Sequence, residues 1–289
     1  MTYIVAVSGG IDSVVLLDML TNSQLSTPSS QLVVAHVDHG IRDDSHDDAL
    51  FVERLAQQYG LVYESTQLRL GAQASEERAR DARYQFLNEV KKRHKAEAIV
   101  TAHHQDDVLE TMMINLVRGT GWRGLCSLRE HSGMLRPLLA MSKAEVVRYA
   151  IEHELEWRDD STNDDPRYMR NMIRQTIMRR MTVTERYQLL DIWYRQTAIT
   201  NDIEPLLAEV MSIAIDKGEL RRYNLVMVDQ AVAREMLAMW IGRRLETRTL
   251  DRLWHFISTA RTGKKLHEDG VTVVATPRGI RIVSSSDVC

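Results

Sequence analysis

Short apolar runs and longer helical stretches alternate along the first half of the chain. The runs cover residues 3–7 (YIVAV), 32–37 (LVVAHV), about 61–68 and 97–102 (EAIVTA); helical periodicity covers 13–20, 47–60, 75–94 and 105–117. Strands that are nearly all apolar belong to a parallel sheet covered by helices on both faces. The pattern therefore predicts an α/β, doubly wound parallel sheet. Such sheets bind ligands just beyond the carboxyl ends of their strands, so the residues that follow each run carry the functional information.

The alternation stops near residue 142. Ser142 is placed to cap a helix over 143–153, with Glu145 at the capping-box position. Segments 167–181, 184–197, 202–217, 229–244 and 247–260 read as helices, and the tail VTVVATPRGIRIV reads as two short strands about a Thr-Pro-Arg-Gly turn. This predicts a catalytic domain over 1–185 and a smaller, mainly helical domain with a short C-terminal β-hairpin over 186–289. The polar stretch 22–31 (NSQLSTPSSQ) reads as a loop within the first domain.

Composition narrows the class. With 44% hydrophobic and 27% charged residues, the 289-residue chain reads as a soluble globular protein. It has no run of about 18 uncharged apolar residues, and its start, MTYIVAVSGGIDS, lacks the basic head and cleavage site of a signal peptide. Cys126 and Cys289 are the only cysteines, so this chain alone builds no disulfide framework and no four-cysteine metal site. A cytoplasmic location and no membrane partner are expected. The net charge of −3 conceals an asymmetry: residues 1–162 hold 17 basic against 24 acidic side chains, residues 163–289 hold 20 against 16. Thirty of the 37 basic residues are Arg, whose planar fork matches phosphate better than the ammonium of Lys.

The first apolar run ends in SGGIDS. Gly9 and Gly10 let the backbone bring its N–H groups against an anion, the next helix adds its N-terminal dipole, and Ser8 and Ser13 add hydroxyls. No Gly-Lys-Ser/Thr follows, so this is not a Walker A loop. It suits the pyrophosphate part of ATP, released when a nucleophile attacks the α-phosphorus. Asp12 fits in such a cradle only if a divalent cation accompanies the phosphates, which implies Mg²⁺.

Four further segments lie at strand ends or on helix faces. AHVDHGIR (35–42) offers Asp38 to a metal or a nucleophile, beside His36 and His39. ERARDARYQFL (77–87) places Arg80 and Arg83 three apart on one helix face, beside Glu76 and Glu77. TAHHQDDVLETMMINLVRGTGWRGL (101–125) leads from the fourth strand through His103, His104, Asp106 and Asp107 into a helix. Its spacing puts Asp107 and Glu110 on one face and turns Asn115 elsewhere, and it lacks the i, i+4 histidines of a helical zinc site. Arg118, Gly119, Thr120 and Gly121 form a second glycine-containing turn. MLRPLL (134–139) precedes WRDDSTNDDPRYMRNMIR (157–174), where Asp160, Ser161, Thr162 and Asn163 precede a ridge of Arg167, Arg170 and Arg174. With Arg179 and Arg180, residues 167–186 hold six arginines and one acid, a surface suited to the phosphates of a nucleic acid.

SGGIDS directly after an apolar strand resembles the phosphate loop of the ATP-pyrophosphatase (PP-loop) superfamily. Together with AHVDHGIR, TAHHQDDVLETMMINLVRGTG, LRPLL and DDSTN…RYMRNMIR in that order, it resembles the tRNA(Ile)-lysidine synthetase family over about residues 3–180. The resemblance implies a PP-loop α/β domain followed by a helical domain, often dimeric. It implies a carbon–nitrogen ligase that adenylates the wobble cytidine of CAU-anticodon isoleucine tRNA and joins free L-lysine to it, using ATP and Mg²⁺. It assigns Ser8, Gly9, Gly10, Asp12 and Ser13 to ATP, and Asp38, Arg83, His103, Asp107, Glu110 and Arg118 to the catalytic centre. Asp107 and Glu110 are the expected lysine-binding pair, with Mg²⁺ ligation and helix-dipole stabilisation as rivals, and Asp12 and Asp38 the expected metal ligands. A chain ending at 289 resembles the short form, without the further tRNA-binding domain of many members.

Other chemistries are separable. A tRNA thiolase of this superfamily uses cysteines that Cys126 and Cys289 do not resemble. An amidotransferase needs a glutaminase partner or domain, and none is visible. A nucleotide-sensing RNA-binding module would lack phosphate-loop residues, which are present here.

Overall fold

A computed structural model describes residues 1–22, 31–38, 45–68, 76–119, 121–131, 133–158, 169–242 and 245–283. His39, Thr120, Asp160, Ser161, Thr162, Asn163, Arg167, Cys289 and most of the loop 22–31 lie outside the described residues, as do the side chains of Glu76 and Glu77.

Five parallel strands form the first sheet: β1 (Thr2–Ala6), β2 (Gln31–Asp38), β3 (Val62–Gln67), β4 (Ala98–Val100) and β5 (Met134–Leu135), in the order β3-β2-β1-β4-β5. Successive side chains of a strand point to opposite faces, and both faces are apolar. On one, Val5, Val7, Val34 and Val100 pack with Val14–Leu17 of α1 (Ile11–Asn22), Val52 and Leu55 of α2 (Ser45–Gln58), and Val146 and Ala150 of α6 (Lys143–Glu152). On the other, Ile4, Val33, Ala35 and Ile99 meet Phe86, Leu87 and Val90 of α3 (Glu76–Arg93). Fully burying an aliphatic side chain of this kind is worth roughly 1.5–3 kcal/mol, so the two faces hold the sheet from both sides.

The chain order fixes where a ligand goes. From central β1 the chain runs outward to β2 and β3, then returns to β4 on the other side of β1. The crevice between the carboxyl ends of β1 and β4 is the topological switch point. It is flanked by the SGGIDS turn and by the turn leading into α4 (Gln105–Val117).

After β5 and a 3-10 turn at Pro137–Ala140, Ser142 caps α6 as its sequence predicts: Ser142 N–H donates to Glu145 Oε2 at 2.8 Å, and Glu145 N–H to Ser142 Oγ at 3.3 Å. A short helix, α5 (Trp122–Leu125), follows α4; α7 (Met169–Ile173) continues into a π-helical turn at Arg174–Met178. Val108, Leu109 and Met112 of α4 pack against Ile173, Met178, and Leu190 and Trp193 of α8 (Val183–Ala214).

The chain divides into compact units Met1–Arg195 and Gln196–Cys289. The second holds α9 (Arg222–Val226), α10 (Gln230–Ile241) and α11 (Thr247–Thr259) around Leu225, Met236, Leu237, Leu253 and Ile257. The expected terminal hairpin is part of something larger. Strands β9 (Val271–Ala275) and β10 (Gly279–Val283) pair antiparallel and are joined by β6 (Ile215–Asp216), β7 (Glu219–Arg221) and β8 (Lys265–Glu268) in the order β6-β7-β10-β9-β8. Val271, Val273 and Ile280 of this sheet are buried in the same core.

Candidate active site

The first wall of the crevice is the turn after β1. Gly9 has φ +93°, a conformation glycine reaches without penalty, and a Cβ there would touch Phe51 and Val52 at 3.4 Å. The bend turns the N–H groups of Ser8 and Gly9 onto Ser13 Oγ, both at 3.2 Å, while that hydroxyl donates to Gly10 O at 2.8 Å. Ser13 is 4% exposed; it braces the loop from inside instead of presenting a free hydroxyl, a departure from its expected role. Ser8 is exposed. A Cβ on Gly10 would meet only ordinary contacts, Ser8 Oγ at 3.6 Å and Arg158 O at 4.0 Å, so a larger side chain there would obstruct a ligand more than the fold.

The second wall is the turn after β4. His104 N–H donates to Asp107 Oδ2 at 3.0 Å, the reciprocal half of a helix cap. The His104 ring then spans the two walls: its Nε2 lies 3.7 Å from Asp12 Oδ2 and 3.6 Å from Asp107 Oδ2. Burial pushes the His104 pKa down, but Asp12 and Asp107 outweigh it and the net lies above the usual value. Asp12 is held below the usual carboxylate range: burial raises it, and His104 and Lys143 more than offset that. Lys143, the first residue of α6, donates its Nζ to Asp12 Oδ1 at 2.5 Å.

His103, beside His104 in the same turn, lies in the field of several arginines. His103 Nδ1 bonds Thr101 Oγ1 at 2.9 Å. Burial, then Arg136, Arg83 and Arg170, push its pKa down to about 3 against the pull of Asp107, so the imidazole is neutral. Arg80 and Arg83 lie over the Tyr84 ring, 5.6 and 5.4 Å from its centroid. Buried Arg136 donates Nη1 to Arg129 O at 2.6 Å. Glu110, 1% exposed, receives Arg174 at both oxygens, Nε at 2.6 Å and Nη2 at 3.0 Å, with Arg170 Nε 3.8 Å away. Burial lifts the Glu110 carboxyl above its usual range despite Arg174.

The other expected residues have their own surroundings. Asp38 is buried at the end of β2, where Gln67 donates to its Oδ2 at 3.0 Å. Arg118 is exposed at the C-cap of α4, eleven residues and roughly 16 Å along the helix from Asp107. Arg179 and Arg180 are exposed beyond the π-helical turn. Asn115 turns away from the acidic pair, donating to Gly124 O and Ser127 Oγ at 2.8 Å each.

The sequence reading missed Lys143 and gave Arg136 no role. A lysine in the first turn of a helix opposes the macrodipole, and an arginine inside the run MLRPLL is costly to bury unless it serves a site. Both were signals. For Mg²⁺, no group of three or more His, Cys, Asp or Glu side chains among the described residues is placed to hold a metal ion. Mg²⁺ that arrives with phosphates needs only one or two carboxylates, and Asp12, beside the loop, meets that requirement.

Curated relatives over this region are tRNA(Ile)-lysidine synthases. That of Bacteroides thetaiotaomicron is 38% identical over 183 residues, 61% of this chain and 42% of that protein. That of Bacillus subtilis is 38% identical over 189 residues, 61% of this chain and 40% of that protein. The matched chain thus spans less than half the length of these relatives. Among solved structures, the U34-tRNA thiolase NcsA of Methanococcus maripaludis, with its 4Fe-4S cluster, superposes with a TM-score of 0.56 at 21% identity, covering 68% of this chain and 73% of that one. This likeness is one of fold. A model of the PP-loop domain matches residues 1–181, more than half the chain, on the same sheet, phosphate loop and switch-point crevice described above; the chain belongs to the PP-loop domain family.

Proposed function

We propose that the chain is a tRNA(Ile)-lysidine synthase: it adenylates the wobble cytidine of CAU-anticodon isoleucine tRNA with ATP and joins the ε-amine of free L-lysine to C2. The names of the relatives support the substrate. The carrying observation is the switch-point crevice, where the His104 ring links the phosphate loop to the turn before α4, its Nε2 3.7 Å from Asp12 Oδ2 and 3.6 Å from Asp107 Oδ2.

Attack of the cytosine O2 on the α-phosphorus releases pyrophosphate, and attack of the amine on C2 then releases AMP with that oxygen. The start of α1, with its N-terminal dipole, faces the pyrophosphate, while the N–H groups of Ser8 and Gly9 brace the loop on Ser13 Oγ. Mg²⁺, when bound, neutralises phosphate charge, and Asp12 would hold it. The lysine amine, with a pKa of about 10.4 in water, must be neutral to attack. Nearby cations favour its neutral form, so the arginines around His103 do part of the work of a strong base. His103, with its depressed pKa, binds as a neutral partner and is a poor proton acceptor. Asp107 keeps an oxygen not used by His104 N–H, available to hold a lysine ammonium. Glu110 holds Arg174 and Arg170 in place, which revises its expected part in lysine binding. The reading carries a cytoplasmic location and a possible homodimer with it; exposed Ile199, Leu206 and Ile213 recur every seventh residue on α8, the spacing of a helix–helix seam.

The test is mass spectrometry of the anticodon fragment after incubation of the chain with the tRNA, ATP and lysine. The expected product gains one lysine less one water. An unmodified fragment, or one with oxygen replaced by sulfur, overturns the reading.

A further inference from the structure

We propose that Asp18 and Tyr149 are positioning residues for the nucleotide: the hydrogen bond between them locks α6 to α1, the phosphate-loop helix, and so fixes the width of the switch-point crevice. This rests on the ATP-dependent reading above.

The starting point is a carboxylate inside an apolar core. Asp18 follows Val14–Leu17 on α1 and, like them, is buried, at 3% exposed. Burying a carboxylate is costly unless partners satisfy it, and here they do. Its Oδ1 accepts from Asn22 Nδ2 at 2.7 Å and from Tyr59 Oη at 2.6 Å, its Oδ2 from Tyr149 Oη at 2.8 Å. Asn22 belongs to α1 itself and Tyr59 follows α2, whereas Tyr149 comes from α6. A leucine at position 18 would fill the same core without the desolvation cost, so stability alone does not account for the network. The best-attested use of such a buried polar group is to set register. Packing among Val14–Leu17, Val146 and Ala150 is non-directional and lets α6 slide or roll against α1; the Asp18–Tyr149 bond does not.

Register matters because α6 bridges both walls of the crevice. Lys143 N–H donates to Asp106 Oδ1 at 3.1 Å on the second wall, and Lys143 Nζ meets Asp12 Oδ1 on the first. Tyr149 lies six residues beyond Lys143, and Asp18 six beyond Asp12, about 9 Å along each helix. Both ties span the same 131 positions of sequence, so α6 runs beside α1 in the same direction and is held at two points. Losing the second lets α6 swing about the first. The gap bridged by the His104 ring, 3.7 Å from Asp12 and 3.6 Å from Asp107, then changes with it. Burial, with the Asp18 hydrogen bond and charge, pushes the Tyr149 hydroxyl up to about 12, so it stays a donor at any pH where the enzyme works.

The test measures the ATP dependence of pyrophosphate release by the full chain with the tRNA, for wild type, Tyr149→Phe and Tyr59→Phe, beside urea unfolding of each. Tyr149→Phe removes only the hydroxyl, because the ring keeps its stack on His153, centroids 3.8 Å apart. Tyr59→Phe takes a hydroxyl from the same carboxylate without touching α6, and Asn22 still serves that oxygen. Similar losses of stability are expected in the two variants. Only Tyr149→Phe is expected to raise the KM for ATP, by about five- to ten-fold, with kcat at saturating ATP unchanged. A wild-type KM for ATP in Tyr149→Phe overturns the proposal. So does an equal rise in Tyr59→Phe, which would make the network a matter of stability alone. A wild-type chain that releases no pyrophosphate overturns the ATP reading itself, an outcome distinct from either.

Discussion

Glu110 and Asp107 are one helical turn apart, yet their surroundings give them different work. Glu110 is 1% exposed and gripped at both oxygens by Arg174; Asp107 Oδ2 receives the His104 N–H, with the His104 ring 3.6 Å away. A buried carboxylate already satisfied by a guanidinium cannot bind an amine without releasing it, and removing one partner of a buried pair leaves the other uncompensated. Glu110→Gln should therefore lower stability, towards the lower end of about 3–5 kcal/mol because the Arg174 side chain is 40% exposed. Urea unfolding reads this. Turnover should fall with it, as Arg174 and Arg170 lose their anchor. A variant with wild-type stability and only a raised KM for lysine would return Glu110 to direct lysine binding. At this scale the residues of the site were legible but their roles were not: spacing shows that Asp107 and Glu110 share a face, while which of them meets an arginine depends on α7, far along the chain.

Among the elements, Asp106 is the knot. It joins the start of α4 to the first residue of α6 and to Arg186 of α8, whose Nη2 also donates to Met178 O at 2.8 Å. Burial raises its pKa, and Arg186 and the Lys143 N–H outweigh this, leaving it below the usual value of 3.8. A carboxylate with a depressed folded pKa contributes stability above its unfolded pKa and loses it as pH falls through the folded one. Asp106→Asn should cost about 1.5–3 kcal/mol at neutral pH. The gap between variant and wild type should close below about pH 4, as followed by denaturation at stepped pH. A gap that persists at pH 2 would show that charge is not what Asp106 contributes.

The same elements show what a sequence can and cannot announce. The apolar runs of β1, β2 and β4 and the cap at Ser142 were visible because their signals are local. Met134–Leu135 is too short to declare itself a strand and pairs only because β4 is beside it. Segments 184–197 and 202–217 read as two helices but form one, since residues 198–201 (AITN) hold no breaker and Pro205 is accommodated within α8. Strands β6, β7 and β8 carry two to four residues each, below what alternation can reveal, so a five-stranded sheet looked like a hairpin.

For the whole molecule, the question is where a long polyanion lies relative to a crevice built for ATP. The ridge expected to meet it divides in two. Arg170 and Arg174 turn inward to Glu110, whereas Arg179 and Arg180 stand exposed past the π-helical turn. Inward arginines act on chemistry; outward ones act through counter-ion release, which salt reports directly. Each lost phosphate contact lowers the log–log slope of affinity against salt by about 0.7–0.9. The double variant Arg179→Ala, Arg180→Ala should therefore flatten the slope for tRNA by about 1.4–1.8 while leaving ATP binding intact. Arg174→Ala should instead lose turnover with little change in slope. Filter binding across a salt series, run beside single-turnover assays, separates the two. If the double variant keeps the wild-type slope, the tRNA backbone does not cross this surface.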